Sequence, residues 1–311
     1  MTCPAADQLP PSPSPTSIDH SLISALLQLH LLVFLFALTG ILAPFISLQA
    51  PSLVFWRTLI AALTMSLLLG IKRPTLLRLS RSDTAKALGI GCVIGLHWIC
   101  FFTAIELANV SIALVGFAAM SFFTALTEPL IDRRPIRSHE LILGCVVAAG
   151  IALIVGVEQD YLLGLSVALL CALLAAIFPV LNHRLVNRGL SSRALMTYEM
   201  AGASFIAAVY LGLAPSINFE IPIRSDWLPL LTLTLLCTVF AHTLHIFLLR
   251  RLSPYTSSLA MNFEPVHGII LAALVFQDYK DLHPGFYFGA LTIIAANIAQ
   301  PILERRRQSK S

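Results

Sequence analysis

Charge is what this sequence has least of. Only 12% of its 311 residues are Asp, Glu, Lys or Arg, against about 25% in a soluble domain. With 57% hydrophobic residues and a mean hydropathy of +0.84, that shortage excludes a water-soluble chain and makes this an integral membrane protein. Cysteine is sparse as well. Cys92, Cys100, Cys145, Cys171 and Cys237 fall inside apolar runs and only Cys3 lies in the N-terminal tail, a pattern of small core residues and not of a disulfide framework. No Cys/His group has zinc spacing, no glycine-rich phosphate loop follows a strand, and no Gly-x-Ser-x-Gly elbow occurs. Nothing therefore signals a metal, a cofactor, a self-contained ATP-driven pump or an enzyme. Period-two alternation is missing too, which excludes a transmembrane barrel. The first 20 residues hold no Lys or Arg and are rich in Pro and Ser, so residues 1–22 fit neither a secretory signal nor a folded element and read as a disordered tail.

What is present is a series of apolar runs. A hydrocarbon core about 30 Å thick takes about 20 residues of helix, and ten runs qualify. Those of the first half are approximately Ala25–Ile46, Ser52–Ile71, Ala87–Ile105, Val110–Ile131 and Leu141–Val157. Those of the second are Tyr161–Leu181, Ala194–Leu213, Trp227–Leu249, Pro254–Phe276 and Gly285–Leu303. All but three of the 20 Lys and Arg lie in every second connection or the C-terminal tail; the exceptions are Arg57, Arg224 and Lys280. Cytoplasmic loops carry such an excess, so both termini are expected in the cytoplasm, as an even number of spans requires. Spread over short loops at a net charge of +4, these cations are not a nucleic-acid footprint.

The two halves align weakly on each other. Pro44 meets Pro179, Arg57 meets Glu199, His97 meets His242, Ser111 meets Thr256 and Gly144 meets Gly289. Five spans per half is odd, so the copies must be inverted in the membrane, a recurring transporter architecture with its site near the midplane between the repeats. The fold expected is an all-α membrane protein of ten transmembrane helices in two inverted five-helix repeats, residues 23–157 and 158–304, followed by a basic cytoplasmic tail over residues 305–311.

Polar residues inside the spans are costly and mark candidate functional positions. Glu264 lies ten residues past Pro254, roughly 15 Å into the core at the helical rise. Asn262 is close to it in depth, His267 is one turn on, and Pro265 withdraws an N–H so that freed backbone can line a cavity. Glu264 can bind substrate or a proton, or stay a protonated carboxyl bonded to a neighbouring helix. His97, His242 and His245 are near midplane, where an imidazole can titrate in coupling or simply bond a neighbour. Arg57 can attract an anionic group and Trp98 can stack on a planar one. Tyr198 and Glu199 would line the opposite vestibule, unless Glu199 only fixes packing. Pro44 and Pro179 would interrupt the first and sixth helices. Gly89, Gly91 and Gly95 recur at spacings that let helices approach closely.

Phe55-Trp56-Arg57 opening the second span, and the run Arg251-Leu252-Ser253-Pro254-Tyr255-Thr256 leading to Asn262-Phe263-Glu264-Pro265, resemble the drug/metabolite transporter superfamily, specifically its EamA-type members. The resemblance covers the chain after the tail. It implies a secondary transporter of the bacterial inner membrane that moves a small organic metabolite, an amino acid or similar, by alternating access, with efflux and proton coupling expected and no cofactor. Partners are then the lipid bilayer and the solute, not nucleic acid, with the monomer sufficient and a homodimer open. Two departures stand out. The proline usual midway along the fourth helix of each half is Pro265 in the second half but Met120 in the first, whose own Glu128-Pro129 comes two turns later. The acidic residue usual after that helix is Asp278 in the second half, with Asp132 only loosely in place in the first.

Two other classes stay open at this point. A multi-pass enzyme acting on a lipid would want paired acid/base groups near one headgroup level, and a channel would favour pore-lining rings and subunit symmetry. The orientation is checked with cysteines placed at Arg224 and Arg188. Arg224→Cys should react with a membrane-impermeant thiol reagent on intact cells and Arg188→Cys should not; the reverse pattern inverts the topology.

Overall fold

The computed structural model describes residues 20–308 apart from 134, 137, 215, 216, 253 and 262. Residues 1–19, most of the expected tail, lie outside it. Thirteen helical segments follow in order: α1 (His20–Leu42), α2 (Ala50–Lys72), α3 (Arg81–Leu107), α4 (Val110–Phe117), α5 (Met120–Asp132), α6 (Ser138–Val157), α7 (Leu162–Asn187), α8 (Ser192–Leu213), α9 (Trp227–Thr234), α10 (Ala241–Leu248), α11 (Pro254–Met261), α12 (Phe263–Val275) and α13 (Pro284–Gln308). Among the described residues there is no strand. Among the described residues seven stretches are long and apolar enough to cross a membrane by length and composition, counting α4 with α5 and α9 with α10 as single stretches, and residues Phe263–Val275 and Pro284–Ala296 form shorter apolar helices. α13 continues through residues 305–308, so the basic end of the chain begins as helix.

The packing is inside out relative to a soluble protein. Large apolar side chains such as Leu63, Leu213, Leu228 and Leu274 are exposed on the outside, while Arg57, His97, Glu199, His242, His245 and Glu264 are buried. Lipid can cover the first group at no cost, whereas the second group must find its partners within the protein.

Small residues set the closest helix contacts. A Cβ on Gly91 of α3 would strike the backbone of Glu199, and one on Gly202 of α8 would strike the backbone of Leu88. The two helices therefore touch main chain to main chain, which only glycine permits. Gly95 repeats the contact against Ala203, while Gly150 of α6 and Gly289 of α13 form a second such pair. Gly89 departs from the expectation, since a Cβ there would meet nothing within 4 Å.

Local chemistry explains where helices begin and end. Ser80 accepts from Asp83 N at 3.1 Å at the start of α3, and Asn109 accepts from Ile112 N at 2.8 Å at the start of α4, so each caps an orphan donor. Gly189 takes φ +90° just after α7, a left-handed turn open to glycine that stops the helix and feeds α8. Pro44 lies in the 3-10 turn Ala43–Phe45 that finishes α1. Pro179, expected to interrupt its helix, does not, for α7 runs through it unbroken. The span formed by α4 and α5 is instead interrupted at Ala118–Ala119, where Ala119 N bonds Gly116 O at 3.2 Å. That tightened turn sits immediately before Met120 and forms without any proline.

At the end of the bundle opposite the basic loops, carboxylates clasp the α1–α2 turn. Asp226 accepts from Ser47 N at 2.9 Å and from the Ser47 hydroxyl at 2.8 Å. Glu220 Oε2 accepts from Gln49 N at 2.5 Å and Glu106 Oε1 from Ala50 N at 2.6 Å, placing negative charge on the α2 N-terminus, where the helix dipole favours it. Burial opposes ionisation of Asp226, but the donors of Ser47 and the Ile223 N–H outweigh it and hold the carboxyl below the usual aspartate range. A lowered folded pKa gives stability that is present above the unfolded value, about 3.9, and lost as pH falls through the folded value. The detergent-solubilised protein should therefore lose melting temperature below about pH 4. Asp226→Asn should melt lower at neutral pH and show a shallower acid limb, and parallel curves for the two proteins would refute that role.

Candidate functional site

Seven of the candidate site residues singled out in the sequence meet in one cavity at mid-depth in the bundle. Arg57, His97, Trp98, Pro179, His242, His245 and Glu264 line it. Side chains fill most of this space, and the open volume is about 60 Å³, room for a few water molecules. Met120, the first residue of α5, lines the same cavity, so the first matched half contributes a thioether and the second a carboxylate.

Arg57 is about two turns into α2 and only 1% exposed. Its Nε donates to Thr238 Oγ1 at 2.5 Å, and its guanidinium carbon stands 4.0 Å from the centroid of the Trp98 ring and 5.7 Å from that of Phe102. Aromatic faces supply part of what lost hydration removes from a buried cation. Nη1 has no hydrogen-bond partner among the described residues. Thr238 is presented by an irregular stretch: between α9 and α10 the chain is π-helical over Leu235–Phe240, and the Thr238 hydroxyl donates back to Leu233 O at 2.9 Å. Such one-residue excesses inside helices often occur at functional sites.

The imidazoles are each held. His242 Nε2 lies 3.0 Å from Glu199 Oε2, a fully buried pair at the close contact of α8 with α3. His245 Nε2 lies 2.8 Å from the Ser257 hydroxyl. His97 Nδ1 lies 3.0 Å from Cys171 O and 3.1 Å from Cys171 Sγ. Aromatic rings frame all three, with Phe178 at 5.6 Å from His97 and 6.0 Å from His242 and Phe36 at 6.0 Å from His245. Glu264, the second residue of α12, faces the same cavity as Arg57 but forms no ion pair with it within 4 Å.

Other expectations fall elsewhere. Glu199 is fully buried behind His242, and its Oε1 has no partner among the described residues. Tyr198 donates its hydroxyl to Leu77 O at 2.6 Å, tying α8 to the α2–α3 connection. His267 turns to α1, donating Nδ1–H to Phe263 O at 2.7 Å with its ring 6.1 Å from Phe34; one turn from Glu264, it occupies the neighbouring face. Pro44 lines a separate cavity at the acidic end with Glu106 and Asn109, and Pro265 is buried beside Glu264. Asn262 lies outside the described residues. Sequence reasoning missed Thr238 and Ser257. The readable signal for Thr238 is its position four residues before His242 on the same polar stripe. Among the described residues no three His, Cys, Asp or Glu side chains gather as a metal site.

The sequence profile of the EamA-like transporter family matches residues 23–156 and again residues 162–300. The chain belongs to that family. As an EamA-like protein it has two copies of the family's repeat, and it is a multi-pass membrane transporter of small solutes, in a family whose members are generally not enzymes. A crystal structure described only as that of a protein superposes with a TM-score of 0.65 at 16% identity, over 91% of this chain and 99% of the other. At that identity the likeness concerns the fold alone. No curated protein matches the sequence.

The Glu199–His242 pair makes a direct prediction for this EamA-like chain. Removing one member of a buried hydrogen-bonded pair leaves the other without a partner and costs about 1–3 kcal/mol. His242→Leu should therefore lower the melting temperature sharply, and the double variant Glu199→Leu/His242→Leu should recover most of the loss. A double variant no more stable than the single one would show that the pair does not act as a unit.

Proposed function

We propose that this protein is a secondary transporter that exports a small zwitterionic metabolite, an amino acid or close analogue, across the bacterial inner membrane by alternating access. In this reading its ten transmembrane helices form two inverted five-helix repeats with both termini in the cytoplasm, and the monomer is sufficient. The observation that carries the reading is the cavity at mid-depth, which holds one buried guanidinium with an unpartnered Nη1 and one buried carboxylate that is not paired with it. A solute with a carboxylate and an ammonium satisfies both: its carboxylate takes the donors of Arg57, which present a planar fork, and its ammonium takes Glu264 and the surrounding ring faces.

The small open volume fits a conformation that is closed around the site. A solute larger than a few waters requires the halves to move apart, and the carboxylate clasp on residues 47–50 is then the contact that must part at one end. Proton coupling follows from the same groups. Glu264 can hold a proton when no ammonium is present and release it when one arrives, so that proton and solute occupy the carboxylate in turn.

Purified protein in liposomes tests this reading. Amino acid counterflow should be saturable in the wild type; a channel would show none, and an enzyme would convert the solute. Arg57→Lys keeps the charge and loses the fork, so KM should rise about tenfold, equivalent to roughly 1.4 kcal/mol, with a smaller change in kcat. Glu264→Gln should keep exchange of solute for solute while losing dependence on a proton gradient. Equal proton dependence in Glu264→Gln would sink the coupling, and an unchanged KM in Arg57→Lys would sink the carboxylate assignment.

A further inference from the structure

Another recess, separate from the central cavity, lies between α3 and α7 at the basic end of the bundle. Its volume is about 760 Å³, much larger than the open space around Arg57. Three cations edge it: Lys86, Arg184 and Arg188. Its walls are Ile90, Leu181 and Leu185, which continue along the same two helices toward mid-membrane. Gly89 stands between them, and because a Cβ there would meet nothing within 4 Å, the missing side chain adds depth to the recess. Its neighbour Gly91, by contrast, is consumed by contact with α8.

The charge in the recess is only partly compensated. Arg184 is ion-paired with Asp132 at 2.7 Å and also donates to Ile131 O. Lys86 has Asp83 at 3.7 Å. Arg188 makes no side-chain hydrogen bond or ion pair among the described residues. The recess thus carries excess positive charge at the end of two membrane-spanning helices, with an apolar slot directly below it. An aqueous anion such as inorganic phosphate matches the cations but leaves that slot uncovered. A molecule with a phosphate at one end and acyl chains at the other matches both, and the bilayer supplies it at high local concentration. Basic pockets between transmembrane helices take lipid headgroups by this combination.

We propose that this recess binds one anionic phospholipid of the surrounding bilayer, its phosphate on Lys86 and Arg188 and one acyl chain along Ile90, Leu181 and Leu185 past Gly89. Arg184, braced by Asp132, shapes the recess and adds a third donor. The bound lipid packs against both α3, from the first repeat, and α7, from the second, so it bridges the two halves at a point away from the solute.

The full-length protein tests this by native mass spectrometry from mixed micelles containing equal amounts of phosphatidylglycerol and phosphatidylcholine with identical chains. The wild type should retain one phosphatidylglycerol in preference to phosphatidylcholine by tenfold or more. Lys86→Gln/Arg188→Gln, which leaves the Arg184–Asp132 pair intact, should lose that preference. Gly89→Leu keeps every charge and fills the slot, and it should also release the lipid; general attraction to a basic surface would be unaffected by it. Arg78→Gln/Arg81→Gln removes the same charge at the same end outside the recess and should retain the lipid. A melting-temperature rise with phosphatidylglycerol and none with millimolar inorganic phosphate is the expected companion result. Equal retention of the two lipids, loss of lipid in the Arg78/Arg81 variant as large as in the recess variant, full retention in Gly89→Leu, or an equal thermal shift with inorganic phosphate would each overturn the proposal.

Discussion

A guanidinium buried at membrane depth cannot borrow partners from solvent or lipid, so the protein around Arg57 has to supply them. Much of the interior follows from that requirement. Trp98 turns its ring face to the cation, and the same ring lies 6.0 Å from His242, which in turn holds Glu199. A series of contacts thus runs from α2 through α3 and α10 to α8, and each member is kept in place by the one before. The carboxylate of Glu264 lies outside this series although it shares the cavity, and that leaves it available to something that arrives from outside the protein.

Close packing makes the series possible. Glu199 lies on the stretch of α8 whose backbone touches Gly91 of α3, and from there its carboxylate meets the imidazole of His242 on α10. Wider spacing would open lipid-filled gaps beside charged groups, in a medium where an unsatisfied charge is expensive. The glycine contacts and the buried polar groups therefore meet at one residue, Glu199, whose backbone serves the first and whose carboxylate serves the second.

Much of this was legible in the sequence, and the remainder was not for identifiable reasons. Apolar runs located the helices because hydrocarbon thickness fixes their length, and depth counting placed His97, His242, His245 and Glu264 near one level, which Arg57 and Trp98 join in the folded cavity. Depth says nothing about direction around the helix axis. His267 shares the level of Glu264 within one turn and yet faces α1, and Tyr198 reaches a backbone carbonyl outside the cavity. Proline misled in both senses: α7 passes Pro179 unbroken, while the α4–α5 span tightens at Ala118–Ala119 with no proline present. Glycine spacing likewise marked three residues of α3 as packing positions, whereas Gly89 faces open space. No propensity marks the π-helical stretch at all, so the sequence offers Thr238 as a member of the His242 stripe but not its contact with Arg57.

That stretch also bears on how one membrane span can serve two masters. At about 100° of rotation per residue, a single residue of excess between α9 and α10 turns everything after it relative to everything before it. The lipid-facing surface of α9 and the imidazole-bearing surface of α10 are consequently set by separate registers. Substitutions that adapt the first half of the span to its bilayer leave the aim of His242 and His245 untouched. Deleting one residue between Leu235 and Phe240 would re-mesh the two, and the histidines would swing off the cavity as a unit.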